Sequence, residues 1–345
     1  LELSLELSLE PVLGSLWFSG SANCLAFMNS NKLRSLMLKF AKMMLSMTTD
    51  GDHNGNLSNL SDKKIAVIGT GATAIQAVPF LGAHAQELYV FQRTPSSVDL
   101  RGNSPTDEAW YASQEPGWQR ARRENFAAVL LGQNFTEDLV ADGWTDIARR
   151  IGLSLMNRSQ DSNLDMEEIM LRAEIADFQK MNEIRSRVDA DVPEDASAAD
   201  ALKPWYRQFC KRPTFNDEYL ATFNRPNVQL LDVSDAKGVE RITKNGVVAN
   251  GVEYDVDCII YATGFEITTS AVRRVDFDTI GRNGESLYDH WGEGYRTLHG
   301  LYSHGFPNWF TIGINQNGLS PNMTAMFDDQ AVHVSYVVNE ILSRY

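Results

Sequence analysis

Residues 65–76 read IAVIGTGATAIQ, an apolar run that enters a glycine turn and leaves it as a helix-forming segment. A buried strand ending in G-x-G-x-x-G/A and passing directly into a helix leaves few folds open, because that order is the first half of a βαβ nucleotide-binding unit. Gly69 suits the tight turn, and Gly71 lets a pyrophosphate approach the backbone. Ala74 takes the third position and is small enough for the helix to pack on the strand. The helix then turns its first amides and positive dipole end toward the phosphates. The residues expected around the nucleotide are Gly69, Thr70, Gly71, Ala72, Thr73 and, one turn on, Gln76.

The end of the next strand decides which nucleotide fits. ELYVFQR at 87–93 closes about 20 residues past the turn, where an NAD site places Asp or Glu on the ribose 2′-hydroxyl. This chain has Gln92–Arg93–Thr94 there. The planar fork of an arginine binds a 2′-phosphate bidentately, so Arg93 and Thr94 point to NADP rather than NAD.

The remaining pattern supplies the class of fold. Residues 107–200 alternate charged and apolar residues at helical spacing, and strand signals return at NVQLLDV (227–233), GVVANGVEYD (246–255) and CIIYATG (258–264). Strand, helix, strand, a helical excursion and further strands predict an α/β fold on an open parallel sheet. Before the turn, LELSLELSLE places leucine at each odd position from Leu1 to Leu9, as in a strand with one apolar face. KLRSLMLKFAKMMLSM (32–47) reads as a buried or partner-covered helix, shorter than the roughly 20 apolar residues that span a bilayer. The polar stretch 48–64 reads as a linker into the strand.

Composition narrows the partners. A formal net charge of −14 argues against nucleic acid and against an anionic membrane surface. The three cysteines, Cys24, Cys210 and Cys258, form no CxxC pair, which fits a reducing, cytoplasmic setting without structural zinc or another metal.

Several separate stretches carry a family resemblance. KKIAVIGTGATAIQ…ELYVFQRTP, WQRARRENF, DGWTDIARRI, WYRQFCKRPTFNDEYLATFNRPNV, VDCIIYATGFE and TLHGLYSHGFPNWFTIG occur in this order. Together they resemble the flavin-dependent Baeyer–Villiger monooxygenases, the class B flavoprotein monooxygenases. The resemblance implies a Rossmann-like NADP-binding domain over 62–264 with a helical insertion at about 104–200. It further implies the C-terminal part of an incomplete FAD-type domain over 265–345, with an N-terminal remnant and linker over 1–61. Residue by residue, Gly69, Gly71 and Thr73 match the pyrophosphate turn, and Arg93 with Thr94 match the 2′-phosphate clamp. Lys211 and Arg212 match a basic pair beside the flavin, where the arginine stabilises negative charge during catalysis. Asp257, Ala262, Thr263 and Gly264 match the segment that links the two nucleotide domains.

The chain also departs from the family pattern. FSGSANCLAFMN (18–29) keeps Phe18 and Gly20 of the fingerprint F-x-G-x-x-x-H-x-x-x-W-P/D. Cys24 stands in place of its histidine and Met28–Asn29 in place of its last pair. Asn216 stands where histidine is common in the family, and no second G-x-G-x-x-G precedes residue 62. The expectation is therefore a monooxygenase-like protein for a small natural-product ketone or related metabolite that is not self-sufficient. NADP is expected; FAD is implied by the resemblance alone. Two alternatives stand beside it. One is a flavin-independent cyclase, isomerase or dehydratase in the inherited cleft, with Arg212, Asp217, His299 and His304 as acid–base candidates. The other is a non-catalytic partner of a full-length relative. A homo-oligomer or a complex with a related chain is expected in any of these cases, because an incomplete domain leaves apolar surface.

Overall fold

Ile65, Ala66 and Val67 are at most 1% exposed, as the unbroken apolar run in the sequence requires of a strand covered on both faces. The computed structural model describes residues 60–130, 136–146, 149–150, 166–264, 277–314, 316–317 and 322–344. The leucine alternation at 1–9, the segment 18–29, the helix expected at 32–47 and most of the linker lie outside the described residues. The described residues 60–264 fall in one compact unit and those from 277 onward in another.

In chain order the first unit begins β1 (Lys64–Ile68), α1 (Ala72–His84), β2 (Glu87–Gln92), β3 (Val98–Asp99), α2 (Glu108–Ala112) and α3 (Trp118–Leu130). It continues α4 (Met166–Asp191), α5 (Ala196–Leu202), β4 (Thr214–Phe215), α6 (Tyr219–Thr222) and β5 (Val228–Asp232). It closes with β6 (Arg241–Ile242), β7 (Gly246–Ala249), β8 (Val252–Asp255) and β9 (Cys258–Tyr261). The main sheet has the order β5-β2-β1-β9, and all of its pairings are parallel. Ile65 lies opposite Leu88 on one side and Cys258 on the other.

Both faces of this sheet are covered, by different means. On one, Ala74, Ile75, Val78 and Leu81 of α1 join Ile65, Val67, Leu88 and Val90 in a core completed by Tyr219, Leu220 and Phe223. On the other, Ala66, Ile68 and Phe91 meet Val247 and Ala249, with the Phe91 and Tyr254 rings edge to face at 5.6 Å. That second cover corrects the reading of 246–255 as one strand. The segment is a hairpin, β7 paired antiparallel with β8, in a separate sheet with β6. Asn250 and Gly251 turn it with φ of 51° and 73°, the left-handed pair that a two-residue hairpin requires.

Pro79 sits inside α1 and has no N–H, so the carbonyl of Ile75 loses its helical donor. Asn216 replaces it: its side-chain Nδ2 donates to Ile75 O at 3.2 Å. The Asn216 side-chain Oδ1 meanwhile accepts from the N–H groups of Glu218 and Tyr219, each at 2.8 Å. A residue that reads from sequence as a departure thus holds α1 to the start of α6. Replacing it, Asn216→Ala, is expected to cost about 1–3 kcal/mol, since it strands a carbonyl and removes two acceptor contacts. An unchanged urea midpoint would contradict this role.

The second unit contains α7 (Leu287–His290) and the 22-residue α8 (Met323–Arg344). Gln330 fixes α8 by a reciprocal pair with Gly313, accepting from its N–H and donating to its carbonyl, both at 2.9 Å. Among the described residues no helix is long and apolar enough to cross a membrane.

Candidate functional site

Parallel strands bring their C-terminal ends to one edge. Residues 69–71 follow β1, 93–97 follow β2 and 262–264 follow β9 there. The chain steps from β1 to β2 on one side and returns as β9 on the other. The crevice outside such a reversal of strand order is where open α/β sheets take ligands.

The two glycines of the turn do different jobs. Gly69 has φ +105°, and its N–H donates to Phe91 O at 2.9 Å. A Cβ on it would lie 2.5 Å from the carbonyl oxygen of Ala262, so the turn after β1 packs directly on the turn after β9. Gly71 has an ordinary φ of −80°, and a Cβ there would meet nothing within 4 Å. The space in front of it is open. Gly71 caps α1 without a side-chain hydrogen bond, and the first turn carries no acid, so the leading amides and the dipole are left for an anion.

Thr70 ties this turn to the loop after β2. Its hydroxyl donates to Thr94 O at 3.1 Å, and Ser96 Oγ donates back to Thr70 O at 2.6 Å. Thr73 is half-buried, and exposed Gln76 turns back to its own helix, donating to Ala72 O at 2.8 Å. Ala262 is buried with its N–H on Ile68 O, while Thr263 and Gly264 are exposed beside it.

Arg93 opens onto the same edge. Among the described residues no acidic side chain pairs with Arg93, Lys211 or Arg212. The Lys211 ammonium lies over the Tyr206 ring, 5.2 Å from its centre. Desolvation there, and then the charge of Arg93, hold its pKa below the ordinary lysine range. A lysine whose charged form is disfavoured beside an arginine, with no acid paired to either among the described residues, suits an anion. The backbone at Lys211 is extended (φ −133°, ψ 163°), and Arg212 precedes Pro213, which favours the same conformation. Arg212 is exposed beside Lys211.

Other expected site residues lie elsewhere. Asp257 does not join Ala262, Thr263 and Gly264. It precedes β9, at the opposite edge of the sheet, where its Oδ2 accepts from Lys64 N at 2.9 Å and its own N–H donates to Lys64 O at 2.9 Å. It pins the starts of β1 and β9 together. Asp217, an acid–base candidate from sequence, is also occupied: Oδ1 accepts from the N–H groups of Arg101 (2.7 Å) and Gly102 (3.0 Å), and Oδ2 from Asn103 (3.0 Å). Burial acts to raise its pKa, but the three N–H groups outweigh it and hold the carboxyl below its usual range. The group stays ionised near neutrality and cannot serve there as a general acid. Its stabilisation is present above the ordinary carboxylate value of 3.8 and lost as pH falls through the lowered one. The loop 101–103 should accordingly resist proteolysis unchanged from neutral pH down to about pH 4. Loosening at pH 6 would contradict the clamp. His299 and His304 are exposed in the second unit, and no metal-binding group of three or more ligands occurs among the described residues.

Tyr206 and Ser96 belong to the site without having been expected there. Tyr206 lies five residues before Lys211, a spacing with no periodic meaning in irregular chain, and Ser96 looks like part of any turn-rich loop.

No model of a known protein family matches the chain. It is 48% identical over 298 residues to neopentalenolactone D synthase of Streptomyces avermitilis, covering 86% of this chain and 50% of that protein. It is 48% identical over 296 residues to Baeyer–Villiger monooxygenase ATR8 of Stachybotrys chlorohalonatus, covering 86% and 47%. The chain spans about half the length of the curated relatives it matches. Its structure resembles that of a polycyclic ketone monooxygenase from the fungus Thermothelomyces thermophila, with a TM-score of 0.72 at 38% identity over 84% of this chain and 47% of that one. It also resembles the crystal structure of OTEMO in complex with FAD and NADP (form 3), with a TM-score of 0.60 at 27% identity over 86% and 55%.

Proposed function

Because the chain belongs to the Baeyer–Villiger monooxygenase family, we propose that its first unit is the NADPH-binding part of an enzyme oxygenating a small natural-product ketone. One observation carries the reading: an open glycine turn without a side-chain cap lies at the same sheet edge as Arg93 and Lys211, two cations that no acid pairs with among the described residues. Gly71 and the first turn of α1 would hold the pyrophosphate, and Arg93 with Thr94 and Lys211 the 2′-phosphate. Bound NADPH supplies a hydride. Arg212, next to Lys211 in the CKRP stretch, is assigned to stabilising negative charge in the oxygenation step.

The described residues do not offer a comparable cradle to FAD. They contain one strand–glycine turn–helix unit, and its neighbouring cations suit NADP. FAD belongs to this reading as a group held by other residues or by a partner chain. Association with a second copy or a related chain belongs to it too. Leu171, Ile175, Phe178 and Trp205 are 55%, 48%, 62% and 76% exposed around α4, apolar surface of the kind an interface covers.

A visible spectrum tests the reading. The purified chain, mixed with FAD and passed through gel filtration, is expected to emerge without a flavin band while still binding NADPH. A retained band that bleaches with NADPH would show a self-sufficient enzyme instead. Failure to bind NADPH would remove the reading altogether.

A further inference from the structure

We propose that Tyr206 is a positioning residue that gives the site its selectivity for NADPH over NADH. The inference rests on the NADPH reading above and goes beyond it to a side chain that touches no phosphate.

Two segments must be held in register for the 2′-phosphate to be recognised: the loop after β2, which carries Arg93, and the CKRP stretch, which carries Lys211. Over a hundred residues of chain separate them, and Tyr206 contacts both. Its hydroxyl donates to Pro95 O at 3.0 Å and accepts from Ser97 N at 2.9 Å, so one phenol clamps both sides of a turn two residues beyond Arg93. Its ring meanwhile seats the Lys211 ammonium at 5.2 Å. The same loop is tied to the pyrophosphate turn by the Thr70–Thr94 and Ser96–Thr70 bonds. A continuous chain of contacts therefore runs from the pyrophosphate turn through 94–97 to Tyr206 and Lys211.

The energetics explain why such a clamp is needed. Arg93 and Lys211 repel each other, and a lysine on a flexible stem would swing into water rather than stay beside a second cation. The aromatic face offsets that tendency by a cation–π attraction. Lys211 is thus held at the place where a 2′-phosphate would relieve the repulsion. Tyr206 itself contacts Pro95, Ser97 and Lys211 and not the glycine turn that would hold the shared pyrophosphate, so its loss should act mainly on the difference between NADH and NADPH.

The test measures NADPH and NADH dissociation constants for the wild type, Tyr206→Phe and Tyr206→Leu. The wild type should prefer NADPH by about tenfold or more. Tyr206→Leu, which removes both the ring and the hydroxyl, should lower that preference about tenfold while NADH affinity stays within about twofold. Tyr206→Phe keeps the ring and should retain an intermediate preference. A Tyr206→Leu variant with an unchanged ratio, or one that weakens both nucleotides equally, overturns this inference alone. A wild type without preference overturns the NADPH reading and this inference with it. Should Tyr206→Leu not fold, Tyr206→Phe and Lys211→Met in a double-mutant cycle decide. Non-additive effects on the NADPH/NADH ratio support the proposal, and additivity within about twofold overturns it.

Discussion

Alanine at Gly69 and alanine at Gly71 are expected to fail in opposite ways. Gly69→Ala puts a Cβ 2.5 Å from a backbone carbonyl on the neighbouring turn, at a φ of +105° that L-residues rarely adopt. Neither the Ala262 carbonyl nor the strand behind it can move aside without breaking the Ala262 N–H bond to Ile68. Strain and overlap together should cost about 3 kcal/mol or more, a large share of the 5–15 kcal/mol that stabilises a typical domain. Gly71→Ala meets nothing within 4 Å at an ordinary φ, so stability should change by no more than about 0.5 kcal/mol. Its methyl group instead fills the space in front of the first helical turn, and nucleotide affinity should fall about tenfold or more. Thermal unfolding and nucleotide titration on both variants separate the two effects. If both variants lose stability, or both keep their nucleotide affinity, the division of labour is wrong.

The second large effect is expected at Arg93. Arg93→Gln removes a charge-assisted pair with the 2′-phosphate, about 1.5–3 kcal/mol, or roughly ten- to a hundredfold in NADPH affinity. NADH lacks that phosphate and should bind the variant as it binds the wild type. The substitution also takes away the positive charge beside Lys211, so the lysine pKa should rise toward its ordinary value of 10.5. In the wild type the NADPH advantage should decline below that pH, as Lys211 loses its proton early; in Arg93→Gln the decline moves upward. Equal loss of both nucleotides, or no loss of either, would place the 2′-phosphate elsewhere.

The parts of this site that were legible in the sequence are the local ones. The strand at 65–68, the glycine turn and Arg93 lie in one continuous stretch whose apolar run, turn residues and second strand each have a direct physical reading. The hairpin at 246–255 was legible too, through Asn250–Gly251, but its residues also carry a plain strand signal, and that reading took precedence. What composition and spacing could not supply are contacts between distant segments. Tyr206 reaches Pro95 across 111 residues and Ser97 across 109. Asn216 reaches Ile75 across 141, and only Pro79 hinted that a carbonyl there would need a donor. Asp217 and Asp257 show the converse. Asp217 reads as an acid–base candidate and Asp257 as part of the segment beside the cofactor, yet in the fold the first carboxylate gathers three backbone N–H groups and the second pins two strand ends. The fold class followed from order and burial. Which carboxylates were free to act did not.

The most direct test is a titration of the purified chain with NADPH and with NADH, at two salt concentrations and without added flavin. Tighter binding of NADPH by about tenfold or more, with the advantage shrinking as salt screens the phosphate contacts, is the expected result. Equal affinity for the two nucleotides, or a preference for NADH, would contradict the assignment of Arg93 and Lys211 to a 2′-phosphate.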